Sequence, residues 1–365
     1  MKSVLLFPYH PDVKYLIEYK DALKEYRISG ILSYKEDEDV VRNIHCVLNI
    51  QDVDDSQLWA KSDAVILLDN YRDYKDYKYY TVIDTALRYG KEVFVTPIVA
   101  QKLSLCPYEG QYKILEKLSE NFAEIDKEYE ARLENNIDMK LYEPDVPIVA
   151  VFGQGISCGK FENQLLINHV AEGKYKSVTI CSNALGMLFG YYTIPAFLFS
   201  DAMAFQEKVV KFNHYLWQIY EQEKPDVIIV GVPEGIAPFK KKEYHHFAEY
   251  PLVISSAIDI DISILCTYFI TGEQAERDIY RTVDYCENRY CVYVGAVVVS
   301  RTLFDIPLEM HEKIIFQNLD DEYIENHCKH FENTKLPIAN SANKKAASKC
   351  IEQVFRTLEG NVVVM

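Results

Sequence analysis

A glycine-rich turn between a buried strand and a helix constrains this chain more than any other feature. Residues 147–153, PIVAVFG, form an apolar run of strand length, and a helical pattern follows Gly159 and Lys160. Glycines let a backbone approach an oxyanion without a Cβ clash, and the N–H groups that open a helix offer partial positive charge. Lys160 adds a point charge. The segment 153–160 therefore predicts a phosphate-binding loop.

The spacing of this loop differs from the commonest phosphate-binding motif, which has four residues between its first glycine and Gly-Lys. Here five residues separate Gly153 from Gly159. This five-residue form, directly after a strand, resembles the loop of dethiobiotin synthetase and related P-loop proteins. We expect the cofactor to contact Gly153, Gly155, Ser157, Cys158, Gly159, Lys160 and Glu162. The alternative is a tight turn whose lysine is simply solvated.

Two roles are open for Cys158, which lies inside the loop. It is either a reactive thiol, as a nucleophile or an oxidation-sensitive gate, or a small side chain that fills a tight turn. We favour the filler.

The residue after the lysine departs from the P-loop pattern. P-loop proteins normally have Ser or Thr there, and its hydroxyl binds Mg²⁺, whereas this chain has Phe161. Either a neighbour such as Glu162 replaces the hydroxyl, or the site binds phosphate without Mg²⁺-dependent hydrolysis. The expected cofactor is ATP or GTP, with acetyl-CoA as a further candidate, and the role of Mg²⁺ stays open. No metal ligands are assigned.

Motifs downstream of the loop give a second resemblance. Thr179 is followed by Gly186-Met-Leu-Phe-Gly190 and then by Ser200-Asp201. Over about 147–238 this order resembles the family that includes D-glutamate N-acetyltransferase, which combines a Gly-x5-Gly-Lys loop with a smaller Rossmann-like N-terminal domain. The chain departs from that family where Gly231-Val-Pro-Glu-Gly replaces a Glu-Gly-Gln-Gly segment, and it lacks the threonines after the lysine.

A third resemblance covers more of the chain. The N-terminal pattern LLFPYHPDVKYLIEYKDALKEYRISGILS, followed by the altered P-loop domain, is similar to accessory proteins of clostridial peptide maturation systems. Those proteins accompany radical-SAM maturases and small precursor peptides. The resemblance implies a role in peptide natural-product maturation, with a precursor peptide or a maturase as partner.

Alternating strand and helix patterns predict an α/β fold with parallel sheets. In the first hundred residues, apolar runs predict strands at 4–7, 28–33, 46–50, 63–70 and 92–97. They indicate a Rossmann-like N-terminal domain that lacks the glycine fingerprint for NAD. A charged helix is expected over 111–135, and the polar segment 135–147 reads as a linker.

The domains are therefore expected at 1–140 and 146–365. The second is a P-loop NTPase-like domain with a mostly parallel sheet. Its predicted strands lie at 147–153, 176–182, 224–235, 291–301 and 313–318, with one or two more within 251–270.

Two carboxylates are candidate catalytic groups. Asp201 precedes a long helix and is either a ligand-facing base or a helix N-cap. Glu234 follows a buried strand, and ligands bind beyond the carboxyl ends of parallel strands. Asp226 begins the same strand and is expected to be a turn residue, whereas Asp259 and Asp261 are candidates for the crevice between the domains.

Charge and cysteine content exclude several classes of protein. A net charge of −16 over 365 residues disfavours a general binder of nucleic acid or anionic membranes. No apolar run approaches the ~18 residues of a transmembrane helix. Nine irregularly spaced cysteines, without a secretory signal, predict reduced thiols and a cytoplasmic location.

The leading hypothesis is a protein that binds a phosphate-bearing ligand, as a group-transfer enzyme or an accessory factor in peptide maturation. The alternative is a non-catalytic, degenerate P-loop module that binds a precursor peptide or a maturase. The intact Gly-Lys favours the first hypothesis and Phe161 favours the second. Association into a homo-oligomer stays open.

Overall fold

The computed structural model describes residues 1–34, 47–69, 77–103, 106–135, 140–237, 245–305, 315–327, 331 and 334–362. The strands in chain order are β1 (Lys2–Phe7), β2 (Tyr26–Ser33), β3 (Val47–Asn49), β4 (Ala64–Leu67), β5 (Glu92–Val95), β6 (Lys113–Ile114), β7 (Ile148–Gly153), β8 (Ser177–Cys181), β9 (Tyr192–Thr193), β10 (Val227–Gly231), β11 (Ile262–Thr267), β12 (Val294–Val299), β13 (Thr302–Asp305), β14 (Ile315–Asn318) and β15 (Ile338–Asn340).

The α-helices in chain order are α1 (Val13–Glu18), α2 (Ser56–Ala60), α3 (Tyr77–Arg88), α4 (Pro97–Lys102), α5 (Phe122–Glu134), α6 (Lys160–Ala171), α7 (Phe205–Glu223), α8 (Glu249–Ala257), α9 (Ala275–Tyr290), α10 (Asp321–His327) and α11 (Lys344–Val362). Within the described part of the chain, none of the helices is long and apolar enough to cross a membrane.

The chain divides into two units. Unit 1 comprises Met1–Leu118 with Ala184–Ala202, and unit 2 comprises Ser119–Asn183 with Met203–Met365. This division differs from the expected domains in two places, since residues 119–140 lie in unit 2 and residues 184–202 lie in unit 1.

Side-chain packing explains the first difference. The ring of Phe122 on α5 meets Tyr215 on α7 edge to face, with centroids 5.5 Å apart. On the same two helices, the Lys211 ammonium lies 2.7 Å from an Asp126 carboxylate oxygen. The charged residues of this segment predict a helix. The unit to which that helix belongs is decided by these long-range contacts with α7.

Backbone pairing explains the second difference. Thr193 donates its N–H to the Lys117 carbonyl at 3.0 Å, and the Lys117 N–H donates to the Thr193 hydroxyl oxygen at 3.1 Å. Lys24 donates its N–H to the Leu188 carbonyl at 3.1 Å. The segment 184–202 is therefore bonded to the N-terminal sheet region at two points.

Unit 1 has the strand order β3-β2-β1-β4-β5-β6, and each neighbouring pair is parallel. The order reverses at β1, which is typical of a Rossmann-like sheet. Apolar residues of β1, β4 and β5 pack with α3 in one buried cluster. The predicted Rossmann-like fold is confirmed.

In unit 2 the strands follow the order β15-β12-β11-β7-β10-β8, again with parallel pairs. Strand β7 is central and its neighbours β10 and β11 come later in the chain, so a crevice opens at its carboxyl end. Helices α6 and α11 cover one face with a buried apolar cluster. The predicted, mostly parallel P-loop-type sheet is confirmed, and β13 with β14 adds an antiparallel pair.

Two predicted elements differ from the structure. The helix expected from residue 111 begins only at Phe122, because Lys113 and Ile114 extend the sheet beside β5 as β6. Within 251–270 the first half is helix α8, whose buried residues Tyr250, Val253, Ile254 and Ala257 follow helical spacing. Only the second half is a strand, β11.

Candidate phosphate site

The loop between β7 and α6 requires glycine at its first position. A Cβ added to Gly153 would lie 2.6 Å from the Cys158 sulfur and 2.8 Å from the Lys160 ammonium nitrogen. Further along, Ser157 and Gly159 have φ of 56° and 83°, in the left-handed region that favours glycine. The loop is therefore a tight, closed turn into the helix, as the sequence predicts.

The Lys160 ammonium lies inside this turn. Its side chain is almost buried, and Nζ donates to the Gly155 carbonyl at 2.7 Å and to the Glu234 carbonyl. The Cys158 thiol donates to the same Gly155 oxygen at 2.9 Å. The Gly155 and Glu234 carbonyls thus hold the cation, and the next contact of Nζ is the Cys158 sulfur at 4.0 Å.

Strand β11 anchors the loop from one side. Gln154 donates its N–H to the Cys266 carbonyl at 2.8 Å, and its side-chain oxygen accepts the Tyr268 N–H at 3.1 Å. The Tyr268 hydroxyl donates to the Ile156 carbonyl at 2.7 Å. The loop is thus tied to the β11 backbone before any ligand binds.

The start of α6 offers N–H groups to the loop. The first helical bond runs from the Asn163 N–H to the Gly159 carbonyl at 3.1 Å. The N–H groups before it have no partner within the helix, and the helix dipole makes this end partly positive. An anion in the loop would therefore meet both the helix end and Lys160.

Glu162 contacts an arginine that the sequence analysis missed. Its carboxylate oxygen lies 3.9 Å from Nη2 of Arg301, and its side chain is almost fully buried. Arg301 follows β12 at the carboxyl edge of the sheet, close to the loop. The signal was present, since the predicted strand 291–301 ends at a basic residue on the edge where ligands bind.

The buried oxygens at this edge that have no hydrogen-bond partner among the residues that the structure describes include the Asn163 side-chain oxygen and the Thr267 hydroxyl. Both residues are at most 2% exposed. Buried polar atoms are usually hydrogen-bonded, so this edge has unused capacity to bind water or a polar ligand.

The two candidate catalytic carboxylates lie in different units. Glu234 lies in the loop after β10, with φ of 54°, and its backbone carbonyl accepts from Lys160. Asp201 lies in unit 1 and is exposed, beside a turn in which Ala202 donates its N–H to the Ser200 hydroxyl at 3.3 Å. Their catalytic roles stay predictions.

Three other aspartates lie at the opposite, amino edge of unit 2. Asp226 accepts the Lys176 N–H and Asp261 accepts the Ile148 N–H, each at 2.7 Å. These bonds fasten the starts of neighbouring strands, so Asp226 is a turn residue as expected. Asp259 is exposed just before β11.

The residues of the loop do not match a P-loop magnesium site. Phe161, at the position of the usual hydroxyl, is 3% exposed and packs as an apolar side chain. Glu162 faces Arg301 instead. Among the described residues no group of three or more His, Cys, Asp or Glu side chains is arranged to bind a metal.

No family model and no curated protein matches the chain. Among solved structures, a DUF1611 family protein from Anabaena variabilis is 12% identical, with a TM-score of 0.61 over 97% of this chain and 100% of that chain. A GTPase in apo form from Pyrococcus abyssi is 13% identical, with a TM-score of 0.30 over 56% of this chain and 84% of that chain. The first likeness shows a shared α/β fold, and the second is too low to carry an argument.

Proposed function

We propose that this protein binds a phosphate-bearing ligand, ATP, GTP or an acyl-CoA, at the loop 153–160. The observation that carries the proposal is the position of Lys160, whose ammonium is almost buried inside the turn that opens α6. A buried cation is costly unless it has acceptors, and two carbonyls supply them here. A solvated lysine on an ordinary turn would need neither burial nor these bonds.

The local electrostatics of the site support an anion in spite of the net charge of −16. The helix end and Lys160 are positive, and Arg301 offsets the charge of Glu162 in the first turn of α6. Interactions inside a partly buried site are screened much less than those at the surface. An anion therefore responds to these groups more than to distant carboxylates.

We further propose that the bound ligand serves group transfer, in an enzyme or in an accessory factor of peptide maturation. The support for this step is the sequence resemblance, together with Glu234, which lies in the loop that contacts Lys160. A specific observation favours the alternative, a non-catalytic module that binds a precursor peptide or a maturase. Phe161 is buried where a catalytic P-loop has its metal-binding hydroxyl.

A thermal-shift assay with ATP, GTP and acetyl-CoA, each with and without Mg²⁺, tests ligand binding. At a hundredfold excess over its Kd, a ligand of the folded state adds about 2.7 kcal/mol of stability and raises the melting temperature. We expect one of the three to do so, and expect Lys160→Met to abolish the shift. A shift by acetyl-CoA without Mg²⁺ would favour acyl transfer.

The matched control is Lys174→Met, which removes an exposed lysine just after α6 and should leave the shift unchanged. The proposal fails if none of the three ligands raises the melting temperature of the unaltered protein. It also fails if Lys160→Met and the unaltered protein respond equally.

A further inference from the structure

A groove of about 1160 Å³ lies at the amino edge of the sheet in unit 2, opposite the phosphate loop. Its walls are the segment 141–148 that leads into β7, the start of β10, and the residues 256–261 that lead into β11. Tyr175 and the last turns of α11 complete it. Its volume exceeds the roughly 300–1,000 Å³ of small-molecule pockets, so it has room for several residues of a peptide.

The charged side chains that line the groove are all acidic. Six carboxylates line it: Glu143, Asp145, Asp226, Asp259, Asp261 and Glu359. None of the described lining residues is Lys, Arg or His. Asp226 and Asp261 accept backbone N–H groups, and Glu359 accepts the Tyr175 hydroxyl. Glu143, Asp145 and Asp259 are exposed to solvent, where they can meet a cation.

The rest of the groove is apolar and preformed. The rings of Tyr175 and Phe355 stack with centroids 5.2 Å apart. Tyr142 stacks on Trp217 with centroids 5.1 Å apart, which fixes the wall beside it. Leu141, which also lines the groove, is 37% exposed. Apolar side chains of a partner could pack against these residues without a change in the groove.

We propose that this groove binds an extended peptide segment that carries lysine or arginine next to large apolar side chains. Long basic side chains can lie along apolar surface while their charged ends reach a carboxylate. The stacked rings of Tyr175 and Phe355 provide the apolar surface, and the exposed Asp145 and Asp259 provide the carboxylates. This proposal does not depend on the phosphate site, which is at the other edge of the sheet.

Fluorescence anisotropy with labelled ten-residue peptides at 150 mM NaCl tests the proposal. The probes are an alternating Lys-Leu peptide, a Lys-Ser peptide and a Glu-Leu peptide. We expect the Lys-Leu peptide to bind and the other two to bind at least tenfold more weakly. The variant Asp145→Asn/Asp259→Asn and the variant Leu141→Ser should each raise the Kd for the Lys-Leu peptide about tenfold, which is about 1.4 kcal/mol.

A matched control separates the groove from the general attraction of an acidic protein. Glu273→Gln/Asp284→Asn removes two exposed charges at and near α9, outside the groove, and should leave the Kd within about twofold. All variants should keep the phosphate-ligand thermal shift, if that shift exists, so the two proposals fail independently.

Three results would overturn the groove proposal. One is that no peptide binds. Another is that both double variants weaken binding equally, which would mean attraction to net charge alone. The last is that the Lys-Ser peptide binds as tightly as Lys-Leu while Leu141→Ser has no effect, since the apolar side chains of the groove would then contribute nothing.

Discussion

At the scale of single residues, the phosphate loop depends on close approaches that leave no room for a side chain. Gly153 lies where Cys158 and Lys160 fold back over the start of the turn. Lys160 in turn donates to the Gly155 carbonyl within the turn and to the Glu234 carbonyl in the loop after β10. The glycine, the thiol and the ammonium therefore form one packed unit rather than three independent features.

The first prediction at this scale concerns Gly153→Ala. The new methyl group would lie 2.6 Å from the Cys158 sulfur and 2.8 Å from the Lys160 nitrogen, so one of them must move. Overpacking of this kind costs about 1–3 kcal/mol. We expect a lower free energy of unfolding in urea, and loss of any thermal shift by a phosphate-bearing ligand.

Gly360→Ala is the matched control. Among the described residues, no atom outside its chain neighbours and its own helix backbone lies within 4 Å of the position its Cβ would take, and the residue is helical, where alanine is favoured by roughly 1 kcal/mol. This variant should be as stable as the unaltered protein or more so. If Gly153→Ala were equally harmless, the packed unit described above would be wrong.

At the scale of secondary-structure elements, polar contacts join α7 to the segment around α5. His214 on α7 is 2% exposed and lies 3.6 Å from the Glu128 carboxylate and 3.3 Å from the Lys140 carbonyl. Asn213 exchanges hydrogen bonds of 2.8 Å with the Tyr142 backbone. These contacts bind α5 and residues 140–142 to α7, whereas the sequence indicated a linker over 135–147.

The second prediction follows from His214 and concerns pH. Burial lowers the pKa of His214 below its usual 6.5, against smaller raising effects of the Lys140 carbonyl and Glu128. Between the lowered pKa and 6.5 the unfolded chain binds the proton more readily, so stability falls as the pH drops through that window. Above pH 6.5 the contribution of His214 to the free energy of unfolding is fully present.

Urea unfolding at several pH values between about 5 and 7.5 measures this effect. We expect His214→Gln to flatten the fall in stability towards acid pH. The control His169→Gln changes a histidine whose side chain is 71% exposed, and it should keep the slope of the unaltered protein. Equal slopes for all three proteins would contradict the prediction.

The elements also show what sequence patterns can and cannot predict. Strands such as β7 and β12 follow from unbroken apolar runs, because a strand buried on both faces needs no polar residue. The sequence of α8 predicts a strand because most of its residues are apolar. The sequence of β6 predicts a helix because only its pairing with β5 distinguishes it as a strand.

At the scale of the whole molecule, strand order decides which distant residues meet. The loop 153–160 could be predicted from local sequence, since glycine, lysine and helix are adjacent in the chain. Its contacts with Tyr268 and Glu234 could not, because they depend on β11 and β10 lying on either side of β7. The contact of Glu162 with Arg301 likewise depends on β12 lying next to β11. The role of the Glu234 carbonyl also needs a φ of 54°, which glutamate seldom adopts.

The last prediction concerns the thiols across the molecule. Of the cysteines whose side chains the structure describes, Cys158, Cys181, Cys266 and Cys286 are buried, Cys350 is half-buried and Cys291 is exposed. Burial raises the pKa of Cys266 well above its usual value and raises the pKa of Cys286 to about 12. The thiolate is the reactive form. Among these six cysteines we therefore expect N-ethylmaleimide to label Cys291 first in the native protein at neutral pH.

Peptide mass spectrometry at increasing labelling times measures the order of reaction, and labelling in urea shows that every thiol is chemically competent. Cys291→Ser should remove the fast phase at that position without exposing the buried thiols.

The decisive residue is Cys158. Slow labelling agrees with a filler whose thiol donates to the Gly155 carbonyl at 2.9 Å. Labelling as fast as that of Cys291 would instead mean that the loop opens readily, and that the buried Lys160 on which the phosphate site depends is not kept in place.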